Sequence, residues 1–247
     1  RAGGAEPLAA EGGITLSCRA WPTLPQAGGV QTLGGRWDAT RRQGYRLALD
    51  AAGCPVFETG AGRIALARPL PRQTWWRLTA RLGGDGAARL DAEPLGPGFR
   101  RRESVLGHLA AAPGAPAGTP FLIAAALTAE GAPCEAFNGK LEAVSLARGG
   151  TTLAAWDFAG DISGDSVPDR GPLGLEGRVV NAPTRAVPGQ SWDGSVHDWR
   201  QDPAQYAAIH FHDDDLDDAG WETSASLALP AGLPSGGYAI RLATADD

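Results

Sequence analysis

The sequence predicts an all-β protein built as a sandwich of sheets, and three observations support this. Apolar and polar residues alternate in short runs, as with Ile14, Leu16 and Cys18 in GITLSCRAW. Turn residues separate these runs at intervals of roughly 8–12 residues, and the chain contains 35 glycines and 19 prolines. Helical periodicity does not extend beyond about three turns anywhere, so we expect few helices.

The predicted strands of the first sandwich follow one another along the chain to about residue 158. The first group is GITLSCRAW, VQTLGGRWD, GYRLALD, PVFETG, RIALARPL, TWWRLTARLG and AARLDAEPL, with turns at 50–55 and 83–88. A long loop is predicted over 96–120, because this segment is rich in Pro, Gly and Ala. The strands FLIAAALTA, FNGKLEAVSLAR and TLAAWDFAG complete the set.

A domain boundary is predicted at about residue 190, which assigns 1–190 to the first domain. The segment NAPTRAVPGQSWDGSVHDWRQDP is polar and rich in proline and tryptophan, which is typical of a linker wrapped onto a surface. Three further strands are predicted in YAAIHFHDD, WETSASLALP and SGGYAIRLA. Three strands are too few for a stable domain, so we expect 191–247 to be this linker and the truncated start of a second β-sandwich.

Composition argues against several classes of protein. A net charge of −6 without a clustered basic face disfavours nucleic-acid binding. The longest apolar run, 121–129, is far shorter than the ~20 residues of a membrane helix. The chain begins with Arg1 and has no methionine, which predicts a piece of a longer protein and leaves open whether that protein carries a targeting signal.

The cysteine pattern disfavours a structural zinc site. Cys18, Cys54 and Cys134 are far apart in the sequence and form no CxxC pair. We therefore expect free, buried thiols in a cytosolic protein, although spacing alone leaves a disulfide between two of them open.

The stretch AIHFHDDDLDDAGWE contains the candidate metal ligands. In a strand, His210 and His212 point to one face, where two imidazoles can share a metal ion if further ligands converge. Asp213 and Asp215 are the carboxylates that would join them. The spacing of a calcium-binding helix–loop–helix is broken, because its glycine and its final glutamate are missing. The preferred interpretation is a strand that enters an aspartate-rich turn, so no metal ligand is assigned.

No catalytic or cofactor-binding residue is assigned from motifs. Ser166 in SGDSVPD resembles a nucleophile loop, but Pro168 cannot donate a backbone N–H and His108 has no partner nearby in the sequence. Phosphate-binding and dinucleotide-binding glycine motifs are absent from the sequence. Trp192, Trp199 and Trp221 either stack on sugars or pack the linker against its neighbours, and packing is the commoner use, but the sequence does not decide between the two. Trp221 is expected near the turn.

Two groups of segments resemble known families. QTLGGRWD, GYRLALD, TWWRLTARL and FNGKLEAVSLAR resemble a laminin G-like, concanavalin-type jelly roll, which is the expected form of the first sandwich. LAAWDFAGDI, GLEGRVVNAPTRAVPGQSWDG and HDWRQDPAQYAAIHFHDDDLDDAGWETSASLALPAGLPSGGYAIRL are similar, over about 153–242, to the large (beta) subunit of the N,N-dimethylformamidase family.

The second resemblance implies an amidohydrolase that cleaves the C–N bond of small formamides. The family uses a mononuclear iron held by tyrosine and glutamate side chains, which would polarise the carbonyl and activate water. Those ligands belong to a later catalytic domain, and Tyr45, Tyr206 and Tyr238 match none of their motifs. The resemblance implies a bacterial, cytoplasmic protein. Its expected partners are the downstream catalytic domain, a small partner subunit and further copies of the chain.

Three hypotheses for function follow. The first is a non-catalytic structural part of a dimethylformamidase-like large subunit, which positions the iron-dependent catalytic domain. The second is a carbohydrate- or calcium-binding lectin-like module, which predicts an exposed aromatic cluster on the concave sheet or an ordered cation. The third is a small metallohydrolase that uses His210, His212 and Asp213.

Overall fold

The computed structural model describes residues 8–10, 12–96, 101–110, 114–213, 221–224 and 226–241. Strands dominate these residues, which confirms the predicted all-β class. The strands are β1 (Gly13–Pro22), β2 (Gln31–Asp38), β3 (Gln43–Leu49), β4 (Pro55–Thr59), β5 (Gly62–Ala65), β6 (Trp76–Gly83), β7 (Ala87–Pro94), β8 (Glu103–His108), β9 (Leu122–Ile123), β10 (Ala126–Leu127), β11 (Pro133–Cys134), β12 (Gly139–Arg148), β13 (Thr151–Ala155), β14 (Ser166–Val167), β15 (Gly177–Arg178), β16 (Thr184–Val187) and β17 (Ala208–Phe211). A short 3-10 helix lies at Pro203–Tyr206.

Two main sheets contain most of these strands. The eight-stranded sheet has the order β16-β17-β12-β1-β6-β7-β8, and β13 also pairs with β12. The seven-stranded sheet has the order β11-β10-β2-β3-β4-β5, and β9 also pairs with β2. The pairing is antiparallel apart from a single parallel contact between β10 and β2, at Leu127 and Asp38. β14 and β15 form a separate two-stranded sheet.

The alternation in the eight-stranded sheet separates core from surface as the sequence predicts. Leu16, Leu78 and Leu90 are fully buried, and each lies next to a polar residue that faces outward. Burying each leucine contributes about 1.5–3 kcal/mol relative to leaving it exposed. These residues belong to a core shared with Phe57 and Leu47 of the seven-stranded sheet.

The central strands of the seven-stranded sheet are buried on both faces. Every residue of β2 and β4 is buried. Leu47 and Phe57 lie opposite each other and belong to the core. Arg46 and Glu58 form the next pair along the same two strands, so their side chains point away from that core. This second buried face therefore contains charged groups.

The strand predicted in YAAIHFHDD forms, but it joins the first sheet. β17 pairs with β12 on one side and with β16 on the other. Ile209 is buried in the core and Phe211 packs against it, so this side of β17 extends the core beyond β12. The assignment of 1–190 to a domain of its own, with 191–247 beginning another, stays a prediction.

The residues group into two compact units, 1–214 and 215–247. In the second unit, the described residues 221–224 and 226–241 form no strand, so the strands expected in WETSASLALP and SGGYAIRLA are not observed. Leu227, Leu229 and Ile240 are 71–75% exposed there. Side chains this exposed gain little free energy from burial when they form a strand. This accounts for the lack of the two predicted strands in the described residues of this unit.

The three cysteines form no disulfide, as expected. Cys18 and Cys54 are buried and Cys134 is half-buried. Burial raises the pKa of the Cys18 thiol to about 12, which keeps it protonated and unreactive at neutral pH. No helix among the described residues is long and apolar enough to cross a membrane.

Candidate functional site

The outer face of the eight-stranded sheet carries rows of polar side chains. Ser17, Thr79, Asp91 and Ser104 occupy matching positions on β1, β6, β7 and β8. Because side chains alternate along a strand, these positions face outward while their neighbours face the core. The rows on β6, β7 and β8 line a polar cleft.

A cleft of about 380 Å³ lies over β6, β7 and β8. Its lining is Arg77, Thr79, Arg81, Arg89, Asp91, Ala92, Glu93, Arg102, Glu103 and Ser104. Four arginines therefore face three carboxylates. The lining contains no aromatic side chain, so this cleft lacks the stacking platform that the lectin hypothesis predicts.

Ion pairs between neighbouring strands and within β7 hold the charges of the cleft. Arg77 contacts Glu93 at 2.8 Å, and Arg81 and Arg89 both contact Asp91 at 2.8 Å. Burial alone would raise the pKa of Asp91, but hydrogen bonds from Ser104 and Arg89 and the nearby charge of Arg81 outweigh it, so the pKa is lowered. The pairs are partly exposed and each contributes about 1 kcal/mol or less. The arginines and carboxylates of the cleft can therefore leave their present ion-pair partners and bind polar groups of another molecule.

The other half of the same face is covered by the segment predicted as a linker. Lys140 on β12 lies 4.6 Å from the Trp21 ring centroid and donates to the Pro188 carbonyl at 3.3 Å. Burial lowers the pKa of Lys140. Glu142 accepts a hydrogen bond from the Gln190 N–H at 2.8 Å. These contacts fix the segment after β16 onto the sheet.

The two candidate histidines lie together at the edge of this face. His210 in β17 is in register with Lys140 and Thr184, and its ring centroid is 5.4 Å from that of His212. The hydroxyl of Thr184 is 3.5 Å from the His212 ring nitrogen Nε2.

The carboxylates predicted to join the histidines do not complete a metal site among the described residues. The Asp213 carboxylate accepts a hydrogen bond from the Asn138 amide at 2.7 Å, and the Asp213 N–H donates to the amide oxygen at 2.9 Å. This reciprocal pair ties the end of β17 to β12. Asp215 lies outside the described residues. In the ranges that the structure describes, no three His, Cys, Asp or Glu side chains form a group that could hold a metal ion.

The tyrosines do not fit the iron ligand set that the family resemblance implies. Tyr45 donates its hydroxyl to the Leu8 carbonyl at 2.9 Å, and burial raises its pKa. Tyr206 and Tyr238 donate theirs to backbone carbonyls at 2.8 and 2.7 Å. An iron-bound tyrosine is a phenolate, which has no proton to donate. All three tyrosines of the chain are therefore placed as structural donors.

The remaining residues selected from the sequence each have contacts of their own. Ser166 is in β14, whereas His108 ends β8 and interacts with the Asp85 carbonyl at 3.0 Å. Trp192 is partly exposed and donates to the Val196 carbonyl within the linker segment. Trp221 is 89% exposed, so its expected packing near the turn is not found.

Sequence reasoning missed a buried charge cluster on β3 and β4. Arg46 binds one carboxylate oxygen of Glu58 through Nε and Nη2, at 3.0 and 2.7 Å, and it also contacts Glu135. Its guanidinium lies 4.6 Å from the Trp37 ring centroid. The only signal in the sequence is that Arg46 interrupts the apolar positions of GYRLALD, which is equally typical of a solvent-facing residue.

Comparison with known proteins shows which family this chain resembles. Residues 184–247 match the family model described as N,N-dimethylformamidase beta subunit-like, C-terminal. The chain is 31% identical, over 97% of its length, to the N,N-dimethylformamidase beta subunit of Paracoccus aminophilus. The chain is dimethylformamidase beta subunit-like. A second relative, the N,N-dimethylformamidase beta subunit of an Alcaligenes species, is 30% identical over 95% of the chain.

This dimethylformamidase beta subunit-like chain spans 37% and 36% of the lengths of these two relatives. Among solved structures, it is similar to one from Bacteroides ovatus described as a candidate carbohydrate binding protein, at 13% identity and a TM-score of 0.47, over 64% of this chain and 49% of that one. It is also similar to a SAP-like pentraxin of Limulus polyphemus, at 16% identity and a TM-score of 0.36, over 55% of this chain and 64% of that one.

Proposed function

We propose that this chain is a non-catalytic, structural part of an N,N-dimethylformamidase-like large subunit. Its task is to position an iron-dependent catalytic domain that other residues of that subunit supply. The relatives are named for dimethylformamidase, and the chain spans 37% and 36% of their lengths. The observation that carries the proposal is that all three tyrosines donate to backbone carbonyls, which leaves none of them as an iron ligand.

Two surfaces support a role in assembly. The charged cleft over β6–β8 offers arginines and carboxylates that can exchange partners with a neighbouring protein surface. In the second unit, Trp221, Leu227 and Ile240 are highly exposed, which is typical of surface that another chain or domain covers. We expect contacts with the catalytic domain, with a small partner subunit and with further copies of the chain. Free thiols agree with a cytoplasmic location.

The rival metallohydrolase hypothesis assigns catalysis to His210 and His212. In a subunit of the relatives' full length that includes this chain, replacing both histidines by alanine is expected to leave kcat, KM and iron content for N,N-dimethylformamide unchanged. Thr184→Ala serves as the matched control, because it alters the same edge of the sheet without removing a metal-binding side chain.

Steady-state kinetics and metal analysis of the purified variants check this expectation. A fall in kcat of about 100-fold or more in the double histidine variant, with loss of bound metal and with Thr184→Ala active, would favour the metallohydrolase. Unchanged kinetics and unchanged metal content in both variants would exclude the metallohydrolase hypothesis.

A further inference from the structure

The guanidinium of Arg185, in β16, is surrounded by backbone carbonyls of the segment 158–166. Nη1 donates to the Gly164 and Ser166 carbonyls at 3.1 and 2.9 Å. Nη2 donates to the Phe158 and Gly160 carbonyls at 3.1 and 2.8 Å. Four acceptors from one short segment thus converge on a single cationic side chain.

Two aspartates shape the segment that provides these carbonyls. The Asp157 carboxylate accepts the Ala159 N–H at 3.0 Å, and the Asp161 carboxylate accepts the Ser166 N–H at 3.2 Å. Asp161 has a positive φ of 49°, and its carbonyl accepts the Gly164 N–H at 2.9 Å. Residues 158–165 therefore form consecutive turns without a strand partner, and only Ser166 belongs to a strand. This leaves carbonyls of the turns available to an external cation.

The ligand chemistry is that of a cation site. Backbone carbonyls with a nearby carboxylate are the oxygen ligands that hard cations prefer. Here the oxygens are divided into two pairs, one for each terminal nitrogen, which matches the planar fork of a guanidinium and not a spherical ion. Burial lowers the pKa of Arg185 while the charge of Asp161 opposes this, and an arginine remains protonated under both influences.

We propose that residues 158–166 form a guanidinium-binding site, which the chain fills with its own Arg185. In this role Arg185 fastens β16 to a segment that precedes it by about two dozen residues, as the four bonded carbonyls show. β16 in turn pairs with β17, and the region that matches the family model begins at residue 184. The guanidinium therefore connects the jelly-roll loops to the start of that region.

The test is thermal unfolding of the Arg185→Ala variant with and without free guanidinium ion. The variant is expected to lose about 5–10 °C in Tm, because four carbonyls, three of them on buried or half-buried residues, lose a charged donor. At about 50 mM guanidinium chloride, where general denaturation is slight, a substantial part of this loss should be recovered. Arg185→Lys should remain destabilised, because a single ammonium cannot serve both pairs of carbonyls.

Arg178→Ala is the matched control. Arg178 lies in the adjacent β15 and forms one exposed ion pair with Asp165 at 2.9 Å, so its loss should change Tm by less than about 2 °C and guanidinium should not raise it. Sodium and calcium chloride at equal ionic strength complete the comparison. Recovery of Arg185→Ala by calcium as fully as by guanidinium, or an unchanged Tm without any addition, would overturn the proposal.

A local measurement covers the case in which Arg185→Ala does not fold. Hydrogen exchange on Arg185→Lys should show faster exchange in 184–187 and 208–211, with the protection of β6 and β7 unchanged. If the amides of β16 and β17 exchange as slowly in this variant as in the wild type, Arg185 does not hold these strands in place.

Discussion

Glu58→Gln is expected to reduce the free energy of unfolding by about 3 kcal/mol. Glu58 and Arg46 both have side chains that are 5% exposed, and they lie 2.7 Å apart. Removing the carboxylate charge leaves the buried guanidinium with Glu135 as its remaining acidic contact. Because an incompletely compensated buried charge is costly, the loss should far exceed that of a surface pair. Urea unfolding at neutral pH measures it.

The loss of stability in Glu58→Gln should depend on pH. Burial alone would raise the pKa of Glu58, but the charges and hydrogen bonds of Arg46 and Arg42 outweigh it, so the pKa is lowered in the folded state. Its contribution to stability is therefore fully present above the pKa of an unfolded glutamate, about 4.3, and is lost as the pH falls through the lower folded value. The stability difference between wild type and Glu58→Gln should shrink as the pH falls below about 4.

Glu93→Gln is the control for Glu58→Gln. Glu93 also pairs with arginine, but its side chain is 27% exposed and Arg77 is 43% exposed, so the loss should be about 1 kcal/mol or less. Equal losses in the two variants would show that the buried cluster has no special part in stability.

Gly44→Ala is expected to destabilise the chain by more than about 4 kcal/mol, enough to prevent folding in a domain of ordinary stability. Gly44 has φ +105°, a conformation that favours glycine. A methyl group there would collide with the Arg36 carbonyl oxygen across the β2–β3 pair and would lie 3.0 Å from Ala115. The yield of folded protein and its circular dichroism spectrum report the effect.

Gly28→Ala separates the cost of a positive φ from the cost of a steric collision. Gly28 also has a positive φ, +78°, but no atom lies within 4 Å of the added methyl group. Its replacement should therefore cost only about 1 kcal/mol, the usual penalty for a left-handed alanine. A folded, stable Gly44→Ala protein would contradict the close β2–β3 packing.

The alternation of β1 was sufficient to predict its core face. Leu16 and Cys18 are buried where the pattern places them, since a period of two leaves little choice once one face is apolar. The same reasoning could not predict that Arg46 is buried. Alternation assigns Arg46 to the face opposite Leu47, but only the covering of that face, by residues far along the chain such as Glu135, decides its exposure.

The candidate site was less predictable, because it depends on register. Arg77 and Glu93 are 16 residues apart and meet only because the hairpin places them opposite each other. His210 and His212 were recognised as neighbours on one strand face. The pairing of their strand with β12 is a long-range contact for which the local sequence carries no signal.

The non-catalytic role of the chain is tested by assaying amide hydrolysis by the chain alone. Formate release from N,N-dimethylformamide and bound iron should be measured for this chain and for a subunit of the relatives' full length. We expect no turnover and no stoichiometric iron in the chain alone, and both in the longer subunit. Iron-dependent turnover by the chain alone would contradict it, because the described tyrosines would then have to exchange their carbonyl partners for the metal.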